Sequence, residues 1–157
     1  MKLPPFMHAG HRVHIGTHVF TPQEIIDFAR RYDPQPFHVD AEAARNSLLG
    51  GLCASGWHTV AVWMRKQRDA TAVMLADLER QGYGRVEYGP SPGFRNLKWL
   101  RPVFAGDEIA YWNETVECRP SASRPGWHVF SGRSGGDNQK GEPVLTFESS
   151  VLIRYPA

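Results

Sequence analysis

The chain has 157 residues, 41% of them hydrophobic and 22% charged, which suits one soluble domain around a single core. A net charge of +2, with the basic residues scattered, leaves no electrostatic footprint for nucleic acid. Cys53 and Cys118 are too few for a disulfide framework and point to a reducing, cytoplasmic setting, while no segment has the apolar length to span a bilayer and Met1–His8 lacks a signal-peptide core.

Val13, Ile15 and Val19 read as one face of a first strand, with His14 and His18 on the other. His8, His11, His14 and His18 crowd this stretch, but their spacing matches no zinc pattern and no Cys, Asp or Glu joins them before Glu24, so no metal site is expected. The first helix is signalled by Thr21 as cap, Pro22 at the first position and Glu24 three residues after Thr21, a capping box. Ile25, Phe28, Ala29 and Tyr32 recur at helical spacing and are its expected buried face.

That helix must stop at Pro34, because proline lacks an amide donor and biases the preceding residue away from helical dihedrals. Pro34 and Pro36 predict a stiff, extended loop over Tyr32–His38 that holds Asp33 and His38 in fixed relation. A carboxylate and an imidazole so held suit general acid–base work on a bound water; at this spacing alone, two solvated loop residues are the plainer explanation. A second short helix is expected from about Asp40, its cap, to Asn46.

Gly50 and Gly51 interrupt the pattern before Ser55, which is placed to cap a longer helix with Trp57, Val60, Ala61 and Met64 on its apolar face. Arg65, Lys66 and Arg68 suit the C-terminus of that helix, and a further helical stretch is expected from about Asp69 to Gln81, ended by Gly82. The backbone amides of Gly56 and Trp57 at the helix start have no partner within the helix and can receive an oxygen bearing negative charge. Gly56 either lets such a group approach the backbone or permits tight helix packing. His58 and Cys53 read as packing residues or as supports of the site, not as nucleophiles.

Gly82–Gly84 and Gly89–Gly93 are loop-like. Strands are expected at Arg95–Leu100, at Glu108–Cys118 with Ala110, Trp112, Val116 and Cys118 on one face, at Trp127–Gly132, and at Val144–Tyr155 with Leu145, Phe147, Val151 and Ile153 on one face. Gly106-Asp107 and Gly135-Gly136-Asp137-Asn138 read as turns. Helices early and strands late argue for an α+β domain.

Asp33-x-Gln35-Pro36-Phe37-His38 resembles the Asp-x-Asn-Pro-(Leu/Ile)-His signature of the MaoC-like dehydratases and R-specific enoyl-CoA hydratases. Thr21–Ala29 resembles the helix before that signature, Ser47–Gly56 the lead into the family's central helix, and Leu97–Asp107 its Pro-Val-x-x-Gly-Asp strand and turn. Gln35 and Phe37 depart from the usual Asn and branched aliphatic residue. The resemblance implies a single hot-dog domain over residues 1–157, with an antiparallel sheet wrapped around a central helix. It also implies a homodimer, or a dimer of dimers, with acyl tunnels near the subunit interface.

The activity so implied is that of a hydro-lyase interconverting (R)-3-hydroxyacyl and trans-2-enoyl thioesters, with acyl-CoA as substrate and no other cofactor. Asp33 and His38 would activate water and move protons, the Gly56 and Trp57 amides would hold the thioester oxygen, and Gln35 and Ser55 would be supporting polar groups of that oxyanion and substrate-binding site. A thioesterase on the same fold and a non-catalytic acyl-thioester-binding subunit are the alternatives. Arg95, Lys98 and Arg101 are candidates for phosphate contacts or for simple surface solubility.

Overall fold

The computed structural model describes residues 3–156; Met1 and Lys2 of the expected signal-free N-terminus lie outside them. In chain order the elements are β1 (Arg12–Val19), α1 (Pro22–Tyr32), α2 (Pro36–Val39), α3 (Ala41–Arg45) and α4 (Gly56–Arg80), then β2 (Glu87–Tyr88), β3 (Gly93–Trp99), β4 (Glu108–Pro120), β5 (Trp127–Asp137) and β6 (Pro143–Arg154). All strand pairs are antiparallel, in the order β1-β4-β5-β6-β2, and β3 also pairs with β6. The sheet curls as a half-barrel around α4, the hot-dog arrangement, in an α+β domain.

The core lies between the concave face of the sheet and α4. Trp63 of α4 shares this cluster with Ile15, Phe20, Ile109, Tyr111, Leu145 and Phe147, and with Ile25 of α1. A second cluster of Phe6, Met7, Leu78, Val86, Ile153 and Tyr155 holds the far end of α4. Polar ties fix the helix to its floor: the Tyr111 hydroxyl donates to the Thr59 carbonyl at 2.9 Å, and the Trp63 indole donates to Asn113 Oδ1 at 3.0 Å. Each satisfies a group that would otherwise be buried without a partner.

Helix α1 follows the expected signals. The Thr21 hydroxyl accepts from the Glu24 amide at 3.3 Å, and Pro22 opens the helix. Ile25 and Ala29 are fully buried, whereas Tyr32, expected on that face, is 72% exposed because the helix ends there and projects it past the core. In α3 the Asp40 carboxylate accepts from the amides of Glu42 and Ala43.

The two helices expected over Ser55–Gln81 are one, 25 residues long. Nothing between Met64 and Asp69 breaks a helix, and Arg65 instead pairs with Asp69 one turn on, at 3.0 Å; such pairs support helix interiors. Gly82, at φ +80°, ends it as expected. The buried face differs from the expected one: Val60 packs against the core as expected, but the buried residues are His58, Thr59, Trp63, Thr71 and Leu78, while Ala61 is exposed and Trp57 and Met64 are about half exposed. Trp63, the bulkiest side chain in the stretch, dictates the rotation, since burying it removes the most apolar surface from water.

Two strands bury other residues than expected, and both contain a bulge. In β1 only Ile15 of the three predicted residues is buried; the register shifts between His14 and Gly16, which turns Val19 outward. In β4 the inward residues are Ile109, Tyr111 and Thr115, not Ala110, Trp112 and Val116; a bulge between Thr115 and Glu117 then returns Cys118 to the inner side. A bulge adds one residue to one strand and reverses the alternation beyond it.

Gly135, Gly136 and Asp137 are not a turn but the last three residues of β5; the turn follows at Asn138–Gly141, where the Gly141 amide donates to the Asn138 carbonyl. A Cβ on Gly135 would lie 2.5 Å from the Trp112 ring and 2.9 Å from the Leu145 carbonyl oxygen, so close packing, not conformational freedom, selects glycine here. Gly135→Ala is expected to lower stability by about 1–3 kcal/mol, read as a lower midpoint of thermal unfolding; an unchanged midpoint would show that strand and indole separate freely.

Candidate active site

Asp33 is the C-cap of α1, its amide bonded to the Ala29 carbonyl at 2.8 Å. Pro34 stops the helix; Gln35 has the extended backbone expected of a residue before proline, at ψ 145°, whereas Asp33 leaves the helical region only as far as ψ 65°. His38, however, is not on extended backbone. Pro36 opens the single turn of α2, which carries His38, because a proline at the first helical position forfeits no hydrogen bond and brings the right φ. The second proline therefore starts a helical turn, and that turn swings His38 back toward Asp33.

His38 is buried, and its Nδ1 donates to the Cys53 carbonyl at 2.6 Å. A carbonyl can only accept, so Nδ1 carries a proton, and in the uncharged form of the ring the lone pair is at Nε2. Nε2 lies 3.5 Å from Asp33 Oδ2. Asp33 Oδ2 also accepts from the Ser55 hydroxyl at 2.7 Å, and Oδ1 accepts from the Gln35 side-chain amide at 2.7 Å.

Ser55 is thus the N-cap of α4 by position, yet its hydroxyl is spent on Asp33 instead of on its own helix. The His58 and Thr59 amides donate to the Ser55 carbonyl, whereas those of Gly56 and Trp57 have no acceptor among the described residues. They are the free donors of the positive end of a 25-residue helix.

Two opposed effects act on Asp33. Burial raises its pKa, but the hydrogen bonds from Ser55 and Gln35 and the nearby His38 together outweigh it and hold the carboxyl below its ordinary value. Asp33 is therefore a carboxylate across the neutral range. Its contribution to folding is complete above the ordinary carboxylate pKa and is lost as pH falls through the depressed folded value. Ser55→Ala removes one of those donors, so the acid limb of any Asp33-dependent activity is expected to move to higher pH; a pH–rate profile checks this, and an unmoved limb would mean the Ser55 bond does not govern the carboxylate.

Cys53 contributes through its carbonyl, which nothing in the sequence signals. Burial pushes its thiol up to about 11, so it stays protonated and is no nucleophile. The strap Leu52–Ala54 is held on both sides, the Cys53 amide donating to Phe37 and the Ala54 amide to Val103. His58 stacks on Phe28, with ring centroids 4.5 Å apart, and lies 3.6 Å from Glu24 Oε1, outside the Asp33–His38 pair. Among the described residues no group of three or more His, Cys, Asp or Glu is arranged to hold a metal ion, and no helix is long and apolar enough to cross a membrane.

Gly56 resolves in favour of packing. Trp99 lays its indole where a Cβ would stand, and Trp57 turns its ring outward to meet Trp99 edge-on at 5.1 Å. Of the cationic candidates, Arg95 pairs with Glu148 at 2.8 Å and Arg101 with Glu142 at 2.9 Å. A shallow depression lined by Phe94, Arg95, Ser131 and Glu148 includes neither Asp33 nor His38.

The family description "MaoC like domain" matches residues 8–125. The chain belongs to the MaoC-like dehydratase family. Its fold matches the MaoC-like dehydratase from Rhodospirillum rubrum with a TM-score of 0.77 and 34% identity, over 96% of this chain and 95% of that one. It matches a monoamine oxidase regulatory protein from Archaeoglobus with a TM-score of 0.75 and 29% identity, over 94% and 90% of the two chains. The uncharacterized protein YdeM of Bacillus subtilis is 28% identical over 131 residues, 83% of this chain and 84% of its own length. As a MaoC-domain protein the chain is placed with hydratases and dehydratases, a hydro-lyase assignment at a coarse level.

Proposed function

We propose that this protein is an acyl-thioester hydratase and dehydratase that interconverts (R)-3-hydroxyacyl-CoA and trans-2-enoyl-CoA, with Asp33 and His38 as its catalytic pair. The supporting observation is the disposition of Asp33 Oδ2 and His38 Nε2: two acceptors 3.5 Å apart, one residue along the chain from Ser55 to a pair of free helix amides. A water that donates to both is held with its own lone pairs free for attack.

In the hydration direction the water oxygen forms a bond to carbon 3 as its O–H bond breaks, and the proton goes to Asp33. The electron pair of the double bond moves toward the thioester, whose oxygen takes negative charge on the Gly56 and Trp57 amides. The proton on Asp33 passes to His38 Nε2 and from there to carbon 2, which completes the addition and restores both groups. Gln35 and Ser55 keep the carboxylate oriented and ionised. Coenzyme A enters as part of the substrate, and no other cofactor takes part.

The assembly we propose is a homodimer, or a dimer of dimers, in the cytoplasm. Supporting it, Trp57, Met64 and Val73 lie on the outward side of α4, all about half exposed or more, and among the described residues β3 pairs with β6 alone. Exposed apolar surface and an open strand edge are both relieved by a second copy.

The test is loss of the conjugated thioester absorbance from a panel of trans-2-enoyl-CoAs. Hydration supports the reading. Release of free thiol from a saturated acyl-CoA would replace it with a thioesterase, and thermal stabilisation by acyl-CoA without turnover would replace it with a binding subunit.

A further inference from the structure

Trp99 ends β3, and its main chain is anchored on both sides: Trp99 pairs with Leu145 in the sheet, and the next amide, Leu100, donates to the Val144 carbonyl at 2.8 Å. The side chain reaches the first residue of α4. A Cβ built on Gly56 would stand 2.3 Å from Trp99 Cε2, 2.5 Å from Nε1 and 2.6 Å from Cδ2. No side chain fits in that gap, so the indole lies flush against the backbone of the residue whose amide is the proposed donor to the thioester oxygen.

Trp57 meets this indole edge-on, and Phe94 meets Trp57 in turn, with ring centroids 6.4 Å apart. Trp99, Trp57 and Phe94 remain 44%, 51% and 55% exposed. An oxygen accepting from the Gly56 amide stands about 3 Å from that nitrogen. On the hydratase reading, the acyl chain attached to it runs alongside the indole.

We propose that Trp99 is a specificity-determining residue: its indole is the end wall of the acyl space and restricts the protein to short acyl groups. The inference rests on the hydratase reading of the same site. A short enoyl group lies against the ring, whereas a longer chain must push it off the Gly56 backbone. Removing the indole opens space continuous with the site, lined by Trp57 and Phe94, in which added methylenes find apolar contacts.

The experiment compares kcat/KM for crotonyl-, hexenoyl-, octenoyl- and decenoyl-CoA between wild type, Trp99→Ala and Trp99→Phe, with light scattering to follow assembly. The octenoyl-to-crotonyl ratio is expected to rise about tenfold or more in Trp99→Ala and by less in Trp99→Phe, in keeping with what a few methylenes are worth in an apolar pocket. Wild type that hydrates crotonyl-CoA while the ratio stays put in both variants overturns this inference and leaves the hydratase reading standing. So does a change in assembly that lowers activity on every chain length alike, since the indole would then be a contact between copies. Wild type inactive on the whole panel overturns both.

A readout independent of turnover tests the contact itself. Gly56→Ala should lower the thermal midpoint markedly in wild type and little in a Trp99→Ala background, because residues in contact show non-additive effects. Additive effects would overturn the proposed wall.

Discussion

Asp33→Asn is expected to lower the rate of enoyl-CoA hydration by about 10²–10⁴, the usual worth of a positioned proton-transfer group. The substitution keeps the shape of the side chain and removes its charge and its capacity to take a proton. The two donors aimed at it, Ser55 Oγ and Gln35 Nε2, each at 2.7 Å, then face one acceptor and one amino group. The amide form is therefore also expected to disturb the orientation of the site. Steady-state kinetics and thermal unfolding at several pH values check both effects.

The stability difference between wild type and Asp33→Asn should be largest near neutral pH. It should shrink as pH falls below the ordinary carboxylate range, where wild-type Asp33 takes up its proton and loses the advantage of its depressed folded pKa. Near-full hydration by Asp33→Asn would exclude Asp33 as the proton acceptor, whatever happened to stability.

His38→Ala is expected to cause a loss of similar size, about 10²–10⁴, for a different reason. It removes the second acceptor for the water and the path by which a proton returns to carbon 2. It also leaves the Cys53 carbonyl, which receives the buried Nδ1–H at 2.6 Å, without its partner. An orphaned buried acceptor costs about 1–3 kcal/mol, so this variant, unlike Asp33→Asn, should also unfold at a clearly lower temperature. A His38→Gln variant separates the two roles. It can restore a donor to Cys53, and so stability, without restoring proton transfer; recovered activity in His38→Gln would mean that the imidazole acts only as a strut.

Much of the candidate site is visible in one dimension because its parts are local. Asp33, Gln35 and His38 fall within six consecutive positions, punctuated by two prolines whose effects on backbone are strong and short-ranged. Thr21, Pro22 and Glu24 announce the helix that delivers Asp33, and the observed cap matches them. The order of helices and strands, and the resemblance of the Asp33–His38, Ser47–Gly56 and Leu97–Asp107 segments to one family, likewise lead to the α+β hot-dog domain found in three dimensions.

Other features have no local signature. Ser55 caps by position, but its hydroxyl turns to Asp33, a partner 22 residues away, and the tautomer of His38 rests on a backbone carbonyl that no side-chain pattern reports. Which face of α4 or β4 points inward depends on the burial of Trp63 and on a bulge after Thr115, and both are settled by the fit of the sheet around the helix. Gly135 and Gly136 look like a turn because glycine frees the backbone, yet they are in a strand because Trp112, Ile109 and Leu145 fill the space of their side chains.

By itself the sequence determined what short-range physics controls: where helices begin and stop, which segment carries the carboxylate and imidazole, and which family the chain resembles. Only the tertiary structure decided how Asp33, His38, Ser55 and the helix amides converge, and that Trp99 stands against Gly56. Those pairings join residues far apart in the chain, and their energy comes from packing and burial that exist only once the sheet has closed on α4.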